Sequence, residues 1–481
     1  MRCLALVTGP KVSSILGYSA SELLHSSLGC TARIKASRVF ETHPILKVIF
    51  TAFDVPLNEE TCRIEAFQEL YTIGSKTLPS TWNFIAMSLC PSGEVLISSI
   101  RPSLSAESAT SFIRDIVCIF RPSGTEDAFS VVDNLLVPFF TLMERSNSQL
   151  SGSKEEINPT GANNSSAEEI WWTERKSLDA DLNSLLAVMD EQLFNHTCVK
   201  KFVNPSSLCA DISCAEDDLR HVSENVSLKF AGMCTVDDTD AFKRSCLKPE
   251  EPISNMSSDT PISSPLCTDR IGFLVLDEYF QSLPMENIPT FIESSVCRIP
   301  SIPFAIASCH NQSNEKCHIP SIDLNKTTYV LDPESDLSEC RARMHEFFGN
   351  LSLKYGWTWN GFIGVIPPDD VIDPALKRDQ SLYLYCGHGG GENILRRMKF
   401  EQNILDGAID KGSEFSQCRS ALVLMGCSSG RLVSVNASED EFAPSSVYHY
   451  EPDGAIISYL CAGAPCIVAN LWDVTDHDID R

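Results

Sequence analysis

The sequence has no excess of positive charge. Thirty-eight Lys and Arg stand against 64 Asp and Glu, a formal charge of −26. A phosphate backbone needs a basic face, so no direct nucleic-acid ligand is expected. A basic protein segment remains an acceptable partner. Long apolar runs are missing too. None approaches the roughly 18 to 20 residues of a membrane span, so no membrane partner is expected. The opening Met1-Arg-Cys-Leu-Ala-Leu-Val7 is too short an apolar run for a signal peptide. Cysteine is not scarce, at twenty residues, but no CxxC pair gives zinc-site spacing. Neither a metal nor a disulfide framework is expected, and the thiols read as reduced and intracellular. No internal repeat is visible. A chain of 481 residues allows two to four domains.

Residues 1–75 hold helix-like patches, such as Ser19-Ala-Ser-Glu-Leu-Leu24 and Asn58 to Tyr71, and read as a helical lead-in. From Leu78 the pattern becomes strand, turn, strand: Trp82 to Leu89, Pro91-Ser-Gly93, then Val95 to Ser99. Ser105 to Ile119 and Asp127 to Glu144 read as amphipathic helices, Ser146 to Ser166 as a loop, and Glu168 to Phe194 as a long helix with its tryptophans as core anchors. Residues 76–197 are therefore expected to form a small α+β domain. Residues 198–265, rich in Ser, Asp and Pro, read as a disordered insertion or linker. Residues 266–481 alternate strand and helix. Strands are expected at Ile271–Leu276, Thr328–Leu331 and Phe362–Val365, helices at Ser338–Leu353 and Glu392–Leu405. That alternation implies an α/β fold, a mostly parallel sheet with helices on both faces.

Three short apolar runs near the end stop at glycine or polar residues. They are Ser381-Leu-Tyr-Leu-Tyr-Cys386 before Gly387-His388-Gly-Gly-Gly391, Ala421-Leu-Val-Leu-Met425 before Gly426-Cys427-Ser-Ser-Gly430, and Ile467-Val-Ala-Asn470 before Leu471-Trp-Asp473. Such runs read as buried strands, and ligands of open parallel sheets bind beyond the strands' carboxyl ends. If the strands are parallel neighbours, His388 and Cys427 overlook one crevice. An imidazole can then take the thiol's proton, and the backbone N–H groups of Gly389 and Cys427 can form an oxyanion hole. An inert core cysteine beside a loop histidine is the alternative. A second reading takes His388-Gly-Gly-Gly391 as an esterase oxyanion motif and Ser428 as nucleophile of a G-x-S-x-G elbow, with Asp473 and His477 downstream. Asp473, Asp476, Asp478 and Asp480 form an acidic tract that either binds a cationic side chain or caps a solvated helix start.

Tyr385-Cys-Gly-His388-Gly-Gly-Gly391, Met425-Gly-Cys427-Ser-Ser429 and Asn470-Leu-Trp-Asp-Val-Thr-Asp-His-Asp-Ile-Asp-Arg481 together resemble separase, the caspase-like cysteine protease that releases sister chromatids. Val275-Leu-Asp277, Phe280-Gln281-Ser-Leu-Pro284-Met-Glu286 and Val296-Cys-Arg298-Ile-Pro300 resemble the start of its protease domain. Trp171-Trp-Thr-Glu-Arg175 and Leu78-Pro-Ser-Thr-Trp82 resemble the preceding substrate-binding domain. The resemblance implies a caspase-like fold. It implies Cys427 as nucleophile, His388 as general base and acid, and Gly389 with Cys427 as oxyanion hole. It places recognition of the arginine before the scissile bond in the tract containing Asp473, Asp476 and Asp480. It also implies cleavage at Glu-x-x-Arg sites of the cohesin kleisin subunit at anaphase, a securin-type inhibitor, no cofactor, and a place in cytoplasm and nucleus. The family carries a long helical region before this part and continues after it, so a fragment is expected. A truncated, non-catalytic scaffold that binds securin-like or cohesin partners is the competing reading.

Overall fold

The computed structural model describes residues 20–39, 44–52, 60–79, 81–89, 95–102, 112–120, 130–156, 164–194, 271–292, 295–314, 322–368, 380–391, 394, 418, 420–432 and 453–474. The expected insertion at 198–265 and most of the expected helix at 392–405 lie outside them, as do Asp476, His477, Asp478 and Asp480.

Two five-stranded sheets carry the fold. The first contains β1 (Trp82–Leu89), β2 (Val95–Pro102), β3 (Phe112–Phe120), β4 (Ile271–Leu276) and β5 (Ser295–Arg298), in the order β3-β2-β1-β4-β5. β1 to β3 pair antiparallel, whereas β1–β4 and β4–β5 pair parallel. Strands from both sides of residues 195–270 thus share one sheet, and the expected boundary at 266 does not separate the sheets. The second sheet contains β6 (Thr327–Leu331), β7 (Asn360–Ile363), β8 (Leu382–Cys386), β9 (Ala421–Leu424) and β10 (Ile467–Ala469). Its order is β10-β9-β8-β6-β7, and every pair is parallel. The α/β class with a mostly parallel sheet is thereby observed.

Helices α1 (Ala20–Ser27), α2 (Cys30–Val39), α3 (Pro44–Thr51) and α4 (Glu60–Thr77) form the lead-in. Leu46, Ile49, Phe50, Leu70 and Tyr71 share one buried cluster with Phe84 of the first sheet and with Val330, Tyr383 and Leu422 of the second. The lead-in is therefore core, not an appendage. Lys35 fixes it further through Asp453 at 3.2 Å and the Ser458 hydroxyl at 3.0 Å.

Two expectations are corrected. The helix expected over Ser105–Ile119 is strand β3 where it is described. Ile113, Ile116, Val117 and Ile119 are β-branched, and β2 offers an antiparallel partner, which overrides the apparent helical spacing. The loop expected from Ser146 is helix to Glu156, the end of α5 (Val137–Glu156), and α6 (Asn164–Met189) begins inside the same stretch. Tertiary pairing overrides the Ser- and Asn-rich composition. Arg175 donates to the Ser146 hydroxyl at 2.6 Å, Gln149 to Glu174 at 2.7 Å, and Arg145 to Asp181 at 3.0 Å. Trp171 and Trp172 are half-buried and packed edge to face, less enclosed than core anchors.

Two polar clamps order the start of the second half. Asp277 is buried at the end of β4 and accepts from the backbone N–H of Leu89, Tyr279 and Phe280. Arg298 ends β5 and donates to both oxygens of Glu286, at 2.6 and 2.8 Å, and to the carbonyls of Gln281 and Leu283. Burial pushes the Glu286 carboxyl up, but the Arg298 hydrogen bond and charge outweigh it and hold the group below its usual range.

His25 lies in the last turn of α1, fully buried, with neither ring nitrogen hydrogen-bonded among the described residues. Burial pushes its pKa down to about 3. The unfolded chain binds this proton more readily, so the contribution of neutral His25 is complete above pH 6.5 and lost as pH falls towards 3. At pH 5 the loss is about 2 kcal/mol. Urea unfolding at pH 7 and pH 5 should show this extra loss in the wild-type chain and not in His25→Leu.

Candidate active site

The site is built on the carboxyl ends of β6, β8, β9 and β10. Tyr385 of β8 pairs in register with Leu424 of β9. His388 and Cys427 each follow their paired residue by the same short step, so the two loops leave adjacent parallel strands side by side. Their backbones touch. A Cβ on Gly426 would lie 1.9 Å from the Gly389 carbonyl oxygen and 2.6 Å from that of Gly387. Only a residue without a side chain fits between the loops.

Each loop is fixed from beneath. The Tyr385 hydroxyl donates to the His388 carbonyl at 2.6 Å, and the Tyr459 hydroxyl to the Gly390 carbonyl at 3.3 Å. Gly389 and Gly391 take left-handed φ values of 60° and 71°, open to glycine at no steric cost. On the other loop, Met425 N–H donates to the Tyr385 carbonyl at 2.8 Å. Asn470, just past β10, donates from Nδ2 to the Gly426 carbonyl at 3.1 Å and from its backbone N–H to the Ser429 hydroxyl at 3.0 Å. Ser428 N–H donates to the Trp472 carbonyl at 3.0 Å. The Trp472 ring packs on Phe139, centroids 6.1 Å apart, within the cluster of β1, α5 and α6. The β10 loop thus ties the candidate site to the first sheet and its helices.

Cys427 is half-buried and its thiol donates to the Val474 carbonyl at 3.1 Å. It stands as a thiol rather than in a disulfide, as do Cys386 and Cys461. His388 is exposed, and its Nε2 lies 3.1 Å from each carboxylate oxygen of Asp336. Asp336 was not foreseen. It lies beyond β6, a strand already legible in the sequence, so the same strand-end rule would have found it. Among the described residues, three non-glycine residues have left-handed φ, Asp332, Ser335 and Ser428. All three flank this site, where backbone strain tends to concentrate.

Asp473, one of the expected arginine-binding carboxylates, accepts from the Ser428 hydroxyl at 2.5 Å. Ser428 therefore meets a carboxylate, not an imidazole, which does not favour it as a nucleophile. A shallow pocket lined by Pro333, Glu334, Ile366, Tyr385, His388 and Ile394 excludes Cys427 and Asp473, so it is not read as the specificity pocket. Glu334, Asp336 and His388 place ligand-type atoms within 4.8 Å of one another. All three are exposed and Nε2 already faces Asp336, so the trio is read as the surround of the histidine rather than as a metal centre.

A parallel sheet thus carries a cysteine and a histidine on neighbouring strand ends. The family is given by comparison. The model described as "Separin, protease domain" matches residues 196–479, more than half of the chain, and the chain belongs to the separin family. Mouse separin is 30% identical over 348 residues, which cover 66% of this chain and 14% of the mouse protein. Separin of Emericella nidulans is 35% identical over 208 residues, 43% of this chain and 9% of that protein. The chain thus spans a small part of these relatives. A crystal structure of the Saccharomyces cerevisiae separase–securin complex superposes with a TM-score of 0.55 at 18% identity, over 89% of this chain and 28% of that one. That likeness supports the fold. No helix among the described residues is long and apolar enough to cross a membrane.

Proposed function

We propose that this chain is an arginine-directed cysteine endopeptidase of the separase type. The observation that carries the reading is the matched placement of His388 and Cys427, on touching loops beyond the register pair Tyr385–Leu424. His388 takes the proton of the Cys427 thiol. The sulfur attacks the scissile carbonyl carbon, and the oxyanion is held by the backbone N–H groups of Gly389 and Cys427. The C–N bond breaks, His388 returns the proton to the leaving amine, and a thioester remains. Water, deprotonated by His388, hydrolyses it and releases the thiol.

The arginine before the scissile bond is assigned to the acidic tract. Asp473 is engaged by Ser428, so within this reading Asp476 and Asp480 carry more of the recognition. Substrates would be Glu-x-x-Arg sites of the cohesin kleisin subunit, cut at anaphase in nucleus and cytoplasm. A securin-type inhibitor would occupy the same crevice. Residues 266–481 would form the catalytic unit and 76–197 the substrate-binding one, joined through the first sheet.

The test is cleavage of a peptide carrying Glu-x-x-Arg by the purified, folded chain, read by mass spectrometry. A cut after arginine is expected, and a peptide with glutamine in place of that arginine should survive. If folded chain free of inhibitor cuts neither, the peptidase reading fails.

A further inference from the structure

We propose that Asp336 is a positioning residue for His388: its carboxylate fixes the imidazole as the tautomer with hydrogen on Nε2, leaving Nδ1 as the base. This rests on the peptidase reading for its purpose, but not for its geometry. Both Asp336 oxygens lie 3.1 Å from Nε2. A carboxylate only accepts hydrogen bonds, and a neutral imidazole carries one N–H, so the contact requires that hydrogen on Nε2. Nδ1 then presents a lone pair. Among the described residues it takes no hydrogen bond. When Nδ1 gains the thiol proton, the resulting imidazolium faces a negative carboxylate, which stabilises it without itself becoming protonated.

An exposed carboxylate contributes little unless something holds it still, because water competes and side-chain entropy is lost. The side chains of His388 and Asp336 are 46% and 58% exposed. The loop that carries Asp336 is nevertheless built to be rigid. Asp332, buried at the end of β6, donates its backbone N–H to the Cys386 carbonyl of β8 at 2.8 Å. Its Oδ1 accepts the backbone N–H of Asp336 at 3.0 Å and of Leu337 at 3.1 Å. This closes the turn that leads into α7 (Ser338–Tyr355) and sets the Asp336 backbone. Arg341 stands 3.2 Å from the other Asp332 oxygen, an ion pair not aligned as a hydrogen bond. Ser335, the neighbour of Asp336, donates its hydroxyl to the Gly364 carbonyl beyond β7 at 2.8 Å. The loop is thus anchored to the strands on both sides of β6. Left-handed φ values of 49° at Asp332 and 63° at Ser335 give it the tight turn that aims Asp336 back at β8.

The experiment reads the tautomer directly, by two-bond ¹H–¹⁵N correlation of the histidine rings in chain labelled at histidine. His388 is assigned by difference with His388→Ala. The wild-type chain should show the Nε2–H form. Asp336→Ala should show a mixture of both forms, with kcat down about tenfold and KM within about twofold. Asp336→Asn, which can still offer an acceptor oxygen, should restore much of the Nε2–H population and of kcat. A merely structural role would give Ala and Asn variants equal defects and leave the tautomer unchanged, and that result overturns the proposal. So does a wild-type ring carrying its hydrogen on Nδ1. If no peptide is cleaved but the tautomer responds as stated, the peptidase reading fails and the positioning contact stands.

Discussion

Cys427→Ser is expected to abolish cleavage of the Glu-x-x-Arg peptide, with a loss of about 10³-fold or more in kcat/KM. That corresponds to at least about 4 kcal/mol of transition-state stabilisation. The size of the loss follows from the chemistry of the pair. A thiol gives up its proton near neutral pH far more readily than a hydroxyl, and the thiolate is the stronger nucleophile. His388 is held by an exposed carboxylate on a surface loop, an arrangement suited to a thiol rather than to an alcohol. The substitution should leave folding unchanged. The thiol is half-buried and donates a hydrogen bond to the Val474 carbonyl at 3.1 Å, which a hydroxyl can also donate. Thermal unfolding should therefore match wild type while turnover disappears. Equal cleavage by both proteins would exclude Cys427 as nucleophile and return attention to Ser428 and its 2.5 Å contact with Asp473.

Three of the strands that hold the site, β6, β8 and β9, were legible because each is mostly buried and ends abruptly, whereas β10, expected to be buried, leaves Val468 exposed. β6 reads Thr-Thr-Tyr-Val-Leu and β8 Leu-Tyr-Leu-Tyr-Cys, apolar runs that fit a parallel sheet covered on both faces. His388 and Cys427 stood out because glycines mark where those strands stop. What local pattern cannot supply is pairing. Nothing in Ile271–Leu276 says that it lies beside Trp82–Leu89 across nearly two hundred residues, yet that pair joins the two halves into one sheet. The same limit hid Asp336, since its role depends on β6 lying next to β8. It also hid Asn470, whose amide reaches a loop that only the β9–β10 pairing brings near. β3 and the end of α5 were misread where a partner element decided between two locally acceptable conformations. Asp473 was foreseen as a site residue, but its engagement by Ser428 depends on a turn at Ser428 with φ of 52°, which composition does not disclose.

Gly426→Ala should lower activity about 10²-fold, although it removes no chemical group. The added Cβ would meet the Gly389 oxygen at 1.9 Å, the Gly387 oxygen at 2.6 Å and the Gly389 carbonyl carbon at 2.9 Å. These are backbone atoms of the histidine loop, and that loop is held by the hydroxyls of Tyr385 and Tyr459. It cannot yield as a flexible side chain would. The Gly426 side cannot retreat freely either, because its carbonyl is bound by Asn470. The loops must separate by about an ångström, and a misplacement of that size between reacting groups costs about 10²-fold in rate. The strain should also lower stability by about 1–3 kcal/mol. Gly426 has no left-handed φ, so the defect is steric rather than conformational. Two alanine substitutions separate these effects. At Gly430 the nearest atom is the Ala469 Cβ at 3.0 Å, so a small adjustment suffices and activity should fall only slightly. At Gly349, inside α7, nothing lies within 4 Å, and alanine should stabilise the chain by about 1 kcal/mol with activity intact. The comparison of kcat/KM with unfolding midpoint across the three variants is decisive. Wild-type turnover in Gly426→Ala would mean that the two loops are not pressed together during catalysis, and the assignment of His388 as the partner of Cys427 would lose its main geometric support.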